Sequence, residues 1–306
     1  MKGRILVLGS SNADLILRIP RFHRPGETIS GESLVTAFGG KGANQAMAAR
    51  RLGAQVTLLT RLGKDSFGKS YRKHLARNGL PPRYLLQDPR LPTGVAVIEL
   101  VPGGENRIIV SPGANGALSV KDLDKHREVW RGVKVFVAQL ETPLGTVVKG
   151  LTLARAKGCL TILNPAPAVP LPAKVLPLVD FLVPNEGEAQ ALAGMKTESR
   201  KDLPKMARRL LARGAGNVVI TLGPRGLYFQ NRNEEFQMDA FRVKAVDATA
   251  AGDAFVGALA CGLAEGKGIR EALNQANAAG ALATTKLGAQ PSLPGKQEVR
   301  NFLRLI

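Results

Sequence analysis

Six short runs of aliphatic and β-branched residues recur along the 306-residue chain with hardly a polar position inside them: Ile5–Leu8, Val56–Thr60, Val133–Val137, Leu160–Leu163, Phe181–Val183 and Val218–Thr221. A strand that is apolar at nearly every position has no face for water, so it belongs in a parallel sheet covered on both sides. Between these runs, Ala43–Leu52, Ser66–Asn78, Pro143–Lys157 and Leu203–Arg213 carry apolar residues at helical spacing. The alternation predicts an α/β fold, a doubly wound and mostly parallel central sheet flanked by helices, built as one domain over residues 1–306.

Residues 13–38 and 93–110 break the alternation. They read as strands separated by the turn signals Arg24-Pro25-Gly26 and Pro102-Gly103-Gly104, with no helix between them. They predict a small β-sheet projecting from the main one. Both insertions begin and end beside the polar segments described below, which makes a lid the expected role. No internal repeat, low-complexity stretch or linker interrupts the chain.

Hydrophobic residues at 44% and charged residues at 22% exclude a disordered tail or a fibre. Lys plus Arg is 43 and Asp plus Glu is 24, a net charge of +19, which favours anionic ligands. The basic residues are scattered as singles and pairs such as Arg50-Arg51 and Arg208-Arg209, and aromatic residues are only 5%, so a nucleic-acid partner is not expected. Cys159 and Cys261 lie far apart without metal-ligand spacing. The apolar stretch after Lys2 and Arg4 stops at Gly9, too short for a secretory signal, and no run reaches the roughly 18 apolar residues of a membrane span. A cytoplasmic protein with no membrane partner is the expectation.

In an open parallel sheet, ligands bind beyond the carboxyl ends of the strands. Polar residues collect there: Glu141, Asn164, Asn185 with Glu188, and Thr221 with Gly223 and Gly226 each follow an apolar run. Any one alone is an ordinary cap or turn residue, but together they favour a crevice for a polar ligand. In the segment Val246-Asp247-Ala248-Thr249-Ala250-Ala251-Gly252-Asp253, small residues allow close backbone approach. If a helix opens there, the amides of Ala251, Gly252 and Asp253 form an anion hole, with Asp253 beside it as a candidate proton acceptor. Gly39-Gly40-Lys41-Gly42-Ala43-Asn44-Gln45 combines small residues with one cation and amides, and Ser11-Asn12-Ala13-Asp14 adds further hydrogen-bonding groups after the first strand. Hydroxyl-rich ligands call for such mixtures.

One motif competes. Gly63-Lys64-Asp65-Ser66-Phe67-Gly68-Lys69-Ser70 satisfies the P-loop pattern, although Asp65 sets a carboxylate inside a loop meant for phosphates. His23, His74 and His126 form no ligand or catalytic spacing, and neither a nucleophile elbow nor a dinucleotide fingerprint is present.

In order and spacing, Asn12-Ala13-Asp14, Gly39–Asn44, Asn185-x-x-Glu188, Thr221-Leu222-Gly223 and Asp247–Asp253 resemble the PfkB carbohydrate kinase family. The likeness extends to Asn164-Pro165-Ala166-Pro167-Ala168 and Gly288-Ala289-Gln290-Pro291-Ser292, and so over nearly the whole chain. The family also has a recurrent Gly-x-Asp-x-x-Gly turn, which accounts for residues 63–68. The resemblance implies ATP-dependent phosphorylation of a small sugar, ribose at its O5 hydroxyl first, with deoxyribose, fructose or a nucleoside such as adenosine as the alternative. It implies a sugar between Asn12, Asp14, Gly40, Lys41, Asn44, Glu141 and Asp253, and ATP along Asn185, Thr221, Gly223, Gly226, Gly252 and Asn277. Asp253 would be the base and residues 251–253 the anion hole. Glu188 would organise magnesium through water. Potassium would fall to Asp247, Thr249, Ala283, Lys286, Gly288 and Ser292, several through backbone carbonyls. The resemblance also implies a lid that forms a homodimer. Ala248 stands where the family commonly has Thr and Ala250 where it often has Gly, which puts the loop geometry and ion dependence in question.

Overall fold

The computed structural model describes residues 3–103, 105–195 and 202–305; Lys2 and Gly104, named above, lie outside them. In chain order the strands are β1 (Arg4–Leu8), β2 (Asn12–Arg18), β3 (Ser33–Gly39), β4 (Gln55–Gly63), β5 (Leu85–Asp88), β6 (Gly94–Leu100), β7 (Asn106–Ser111), β8 (Val133–Ala138), β9 (Leu160–Leu163), β10 (Phe181–Leu182), β11 (Asn217–Thr221), β12 (Leu227–Gln230) and β13 (Glu235–Met238). The principal helices are α1 (Lys41–Arg51), α2 (Ser66–Arg77), α3 (Val120–Lys125), α4 (Leu144–Ala156), α5 (Glu186–Ala193), α6 (Leu203–Ala212), α7 (Ala251–Ala264) and α8 (Ile269–Ala283), followed by two short ones, α9 (Ala289–Ser292) and α10 (Lys296–Phe302). All six apolar runs lie within or extend the main-sheet strands.

The main sheet runs β13-β12-β11-β10-β9-β8-β1-β4-β5. It is parallel from β11 to β5 and antiparallel only at the β11–β12 and β12–β13 pairs. Two separate apolar clusters cover its faces, one built with α1, α2, α7 and α8, the other with α4, α5 and α6. From β1 the chain goes to β4 on one side and later to β8 on the other, so β1 marks the point where the winding reverses. A crevice opens at the strand ends of such a point.

Helix α7 is buried along most of its length, with apolar residues all round, and so lies inside the protein rather than on its surface. It packs on α1 at close range: a Cβ on Gly257 would meet the Gln45 carbonyl and the Ala48 side chain at 2.6 Å each. The glycine permits this approach, and the approach brings the first turn of α1 up to the first turn of α7.

The two insertions form a separate four-stranded sheet in the order β3-β2-β6-β7, with β2 and β6 parallel and the outer pairs antiparallel. Its base joins the crevice, since Asn12 pairs with both Gly39 and Gly94.

Candidate active site

At the reversal point, the ends of β1 and β8 are tied together by Ser10, whose hydroxyl donates to Glu141 Oε2 at 2.5 Å. The same carboxylate oxygen accepts from the Lys41 backbone N–H at 3.1 Å, which fixes the entrance of α1 above both strands. Gly40, the residue capping α1, has φ of 87°, a left-handed conformation open to glycine. Asn12 is buried and accepts on Oδ1 from the Asn115 amide at 2.7 Å.

Asp14 projects from β2 against the glycine entrance: a Cβ on Gly39 would lie 1.9 Å from Asp14 Oδ2. Burial, then the nearby carboxylates of Glu141 and Asp253, push its pKa up to about 7. Asp253 is buried and likewise raised, chiefly by burial, with Lys41 and the side-chain amides of Asn44 and Gln45 opposing. Burial lowers Lys41, but Asp253, Glu141 and Glu188 outweigh it and hold the ammonium above its usual range. One cation therefore faces three carboxylates here.

Helix α7 begins at Ala250, which has φ of 60° and is the only residue other than glycine with positive φ among those described. No side chain caps this helix. The Ala251 amide donates to the Ala248 carbonyl at 3.2 Å, whereas those of Gly252 and Asp253 meet no acceptor among the described residues. The expected anion hole is thus two free amides rather than three, aided by the helix dipole.

An open cleft runs from this point along the sheet edge, lined among others by Lys41, Asn164, Asn185, Glu188, Thr221, Gly252 and Asp253. Asn185 and Glu188 form the capping box of α5, at 2.8 and 2.9 Å, so each has a structural task besides any ligand contact. Burial raises the Glu188 pKa. Gly223 and Gly226 shape the tight turn that follows Thr221, which lines the cleft. Asn277 is buried, with its amide donating to the Asp239 carbonyl at 2.7 Å.

Of the residues assigned to potassium, Asp247, Thr249 and Gly288 come together: Asp247 accepts from the Thr249 amide and hydroxyl and from the Gly288 amide at 2.6 to 2.8 Å. Ala283 is buried near the end of α8, Ser292 donates to the Ala289 carbonyl, and the Lys286 ammonium pairs with Glu298. The competing P-loop is not a cradle. Asp65 caps α2 and takes the Gly68 amide and the Thr93 amide and hydroxyl at 2.6 to 2.7 Å, filling the loop itself.

Sequence reasoning passed over Ser10, Gln45, Asn115 and Gln139. Gln45 stands next to Asn44 in the quoted segment, but its bond to Asp253 spans 208 residues and no local pattern announces it.

Residues 2–296 match the pfkB family carbohydrate kinase pattern. The chain belongs to the pfkB family of carbohydrate kinases. Among pfkB relatives, a ribokinase from Haemophilus influenzae is 38% identical over 303 residues, covering 99% of each chain. A deoxyribokinase from Salmonella typhi is 34% identical over 302 residues, covering 98% of this chain and 99% of its own. The structure of Arabidopsis thaliana ribokinase complexed with ribose and ATP superposes with a TM-score of 0.91 at 33% identity, covering 99% of both chains. The doubly wound sheet with its smaller companion is therefore the pfkB ribokinase fold.

Proposed function

We propose that this protein phosphorylates D-ribose at its O5 hydroxyl with ATP, giving ribose 5-phosphate and ADP. The observation that carries the reading is the buried Asp253 carboxylate at the mouth of α7, beside two free amides and across from Lys41. The full-length similarity to ribokinases supports the same sugar.

In this reading the sugar lies among Asn12, Asp14, Gly40, Lys41, Asn44 and Glu141. Asp253 accepts the O5 proton as that oxygen attacks the γ-phosphate. The amides of Gly252 and Asp253, with the α7 dipole, hold the charge of the transferring group. The nucleotide follows the cleft past Asn185, Thr221 and the Gly223–Gly226 turn. Asn277 completes that side, its amide held by the Asp239 carbonyl.

Glu188 suits magnesium held through water, because the α5 cap engages one carboxylate oxygen and the side chain lines the cleft. Magnesium, when bound, neutralises phosphate charge. The potassium set offers oxygen donors from the side chains of Asp247, Thr249 and Ser292 and from backbone carbonyls, those of Ala283, Lys286 and Gly288 among them, a hard-donor set that fits the ion.

The small sheet serves as a lid that keeps water from the γ-phosphate. It also presents Val35, Ile16, Ile98 and Ile108 in register across all four strands, with Val35 and Ile108 52% and 56% exposed. Such a row favours pairing with a second copy, hence a homodimer. One catalytic unit built from residues 12 to 253 supports a single domain. No helix among the described residues is long and apolar enough to cross a membrane, and two buried cysteines that form no disulfide with each other suit a reducing cytoplasm.

The test is ADP release from ATP with magnesium and potassium over ribose, deoxyribose, fructose and adenosine. The reading predicts ribose as the substrate with the highest kcat/KM. Preference for another of the four would move the substrate and leave the mechanism.

A further inference from the structure

The Gln45 side chain uses every hydrogen-bonding capacity its amide needs to be held in one orientation. Its Nε2 donates to Asp253 Oδ1 at 3.0 Å and to Asn164 Oδ1 at 3.0 Å, and its Oε1 accepts from Gln139 Nε2 at 2.6 Å. An amide whose partners each both donate and accept can be placed either way round. Here it cannot, because Asn164 donates its own Nδ2 to the Val183 carbonyl at 2.9 Å and so must offer Oδ1 to Gln45. A turned Gln45 would aim its carbonyl at two acceptors. A backbone carbonyl at the end of β10 thereby dictates, through two side chains, that Asp253 meets a donor.

We propose that Gln45 is a positioning residue for phosphoryl transfer: seated on α1 and locked by Asn164, it holds the Asp253 carboxylate in the orientation that receives the sugar proton. This rests on the reading of Asp253 as the base. Asn44 donates to the other oxygen at 3.0 Å, so the two amides fix both ends of the carboxylate and leave its remaining lone pairs for the hydroxyl.

The charged and titratable groups facing Asp253 are Lys41 on α1, Asp14 on β2, Tyr71 on α2, Glu141 after β8 and Glu188 on α5. Three of these are carboxylates and disfavour a further negative charge. The neutral amides of Gln45 and Asn44 join Lys41 in opposing the rise that burial imposes on Asp253, without adding a charge.

The experiment is steady-state kinetics of Gln45→Met, which keeps the volume and removes the donor, with Asp253→Asn and the double variant. Removing a hydrogen bond to a charged group predicts a kcat lowered roughly 10- to 100-fold. The KM for ATP should stay unchanged, and the acid limb of the kcat profile should move up by about one pH unit. In the Asp253→Asn background, Gln45→Met should have no further effect. Gln45→Glu, nearly isosteric, is the second variant should the Met form fail to fold, and it predicts a larger upward move of the acid limb. Wild-type kcat and acid limb in Gln45→Met, or an equal loss in both backgrounds, would overturn the proposal while Asp253→Asn kept only residual turnover. An active Asp253→Asn would instead remove the reading beneath it.

Discussion

Asn44 donates its side-chain amide to Asp253 Oδ2 at 3.0 Å across 209 positions of the chain, joining the helix entrance that follows the small sheet to the one that follows the left-handed Ala250. Both groups are buried. In the proposed reading the sugar side and the phosphate side of the site therefore meet at one carboxylate.

The Asp14 carboxyl, raised from 3.8 to about 7, gives the ligand-free protein a pH signature. Between those values the folded chain keeps a proton that the unfolded chain has released, so stability falls as pH rises from about 4 to about 7. Asp14→Asn should flatten most of this descent and raise the melting temperature at pH 8 relative to wild type, at the cost of sugar affinity. A remaining slope belongs to Asp253 and Glu188, also raised by burial. Thermal unfolding at pH 5 and pH 8 reads the difference.

Gly39→Ala should strike the sugar alone. The added Cβ would lie 1.9 Å from Asp14 Oδ2 and must displace it, so the sugar KM should rise on the order of 10- to 100-fold. The ATP KM should hold, because the nucleotide cleft is lined from other elements. Kinetics with each substrate varied in turn separate the two.

Ala250 sits in left-handed backbone that costs an alanine roughly 1–2 kcal/mol. After allowance for the greater entropy a glycine loses, Ala250→Gly should stabilise the protein by about 1 kcal/mol, near 2 °C in melting temperature. A lower melting temperature would show that the α7 entrance does not hold that conformation in solution.

What could be read from the sequence follows from how local each feature is. The buried parallel strands are legible because burial on both faces leaves an uninterrupted apolar run, as in Ile5–Leu8. β13 escapes: Glu235–Met238 is an edge strand with alternating exposure and only four residues. The entrances at Gly40 and Ala251 are legible from their small residues. The Ala248 carbonyl that takes the Ala251 amide is not, since it depends on the left turn at Ala250. Asn277, which only the family resemblance brings in, donates to the Asp239 carbonyl, a partner 38 residues away that no spacing rule supplies.

The P-loop pattern at residues 63–70 makes the opposite point, for a full motif match is undone by one carboxylate. Asp65→Ala should lower stability by about 2 kcal/mol through loss of the α2 cap and of the partner for Thr93. Lys69→Ala, at an exposed position, should leave the ATP KM unchanged. A tenfold or greater rise in that KM with Lys69→Ala would restore the loop as a phosphate site.

The most direct test of the whole account is ribose-dependent ADP formation by wild type and Asp253→Asn, with ATP binding followed in parallel. The account predicts turnover that requires ribose and falls roughly 10³-fold in the variant, with ATP still bound. ADP formation that ignores ribose and survives Asp253→Asn would contradict it.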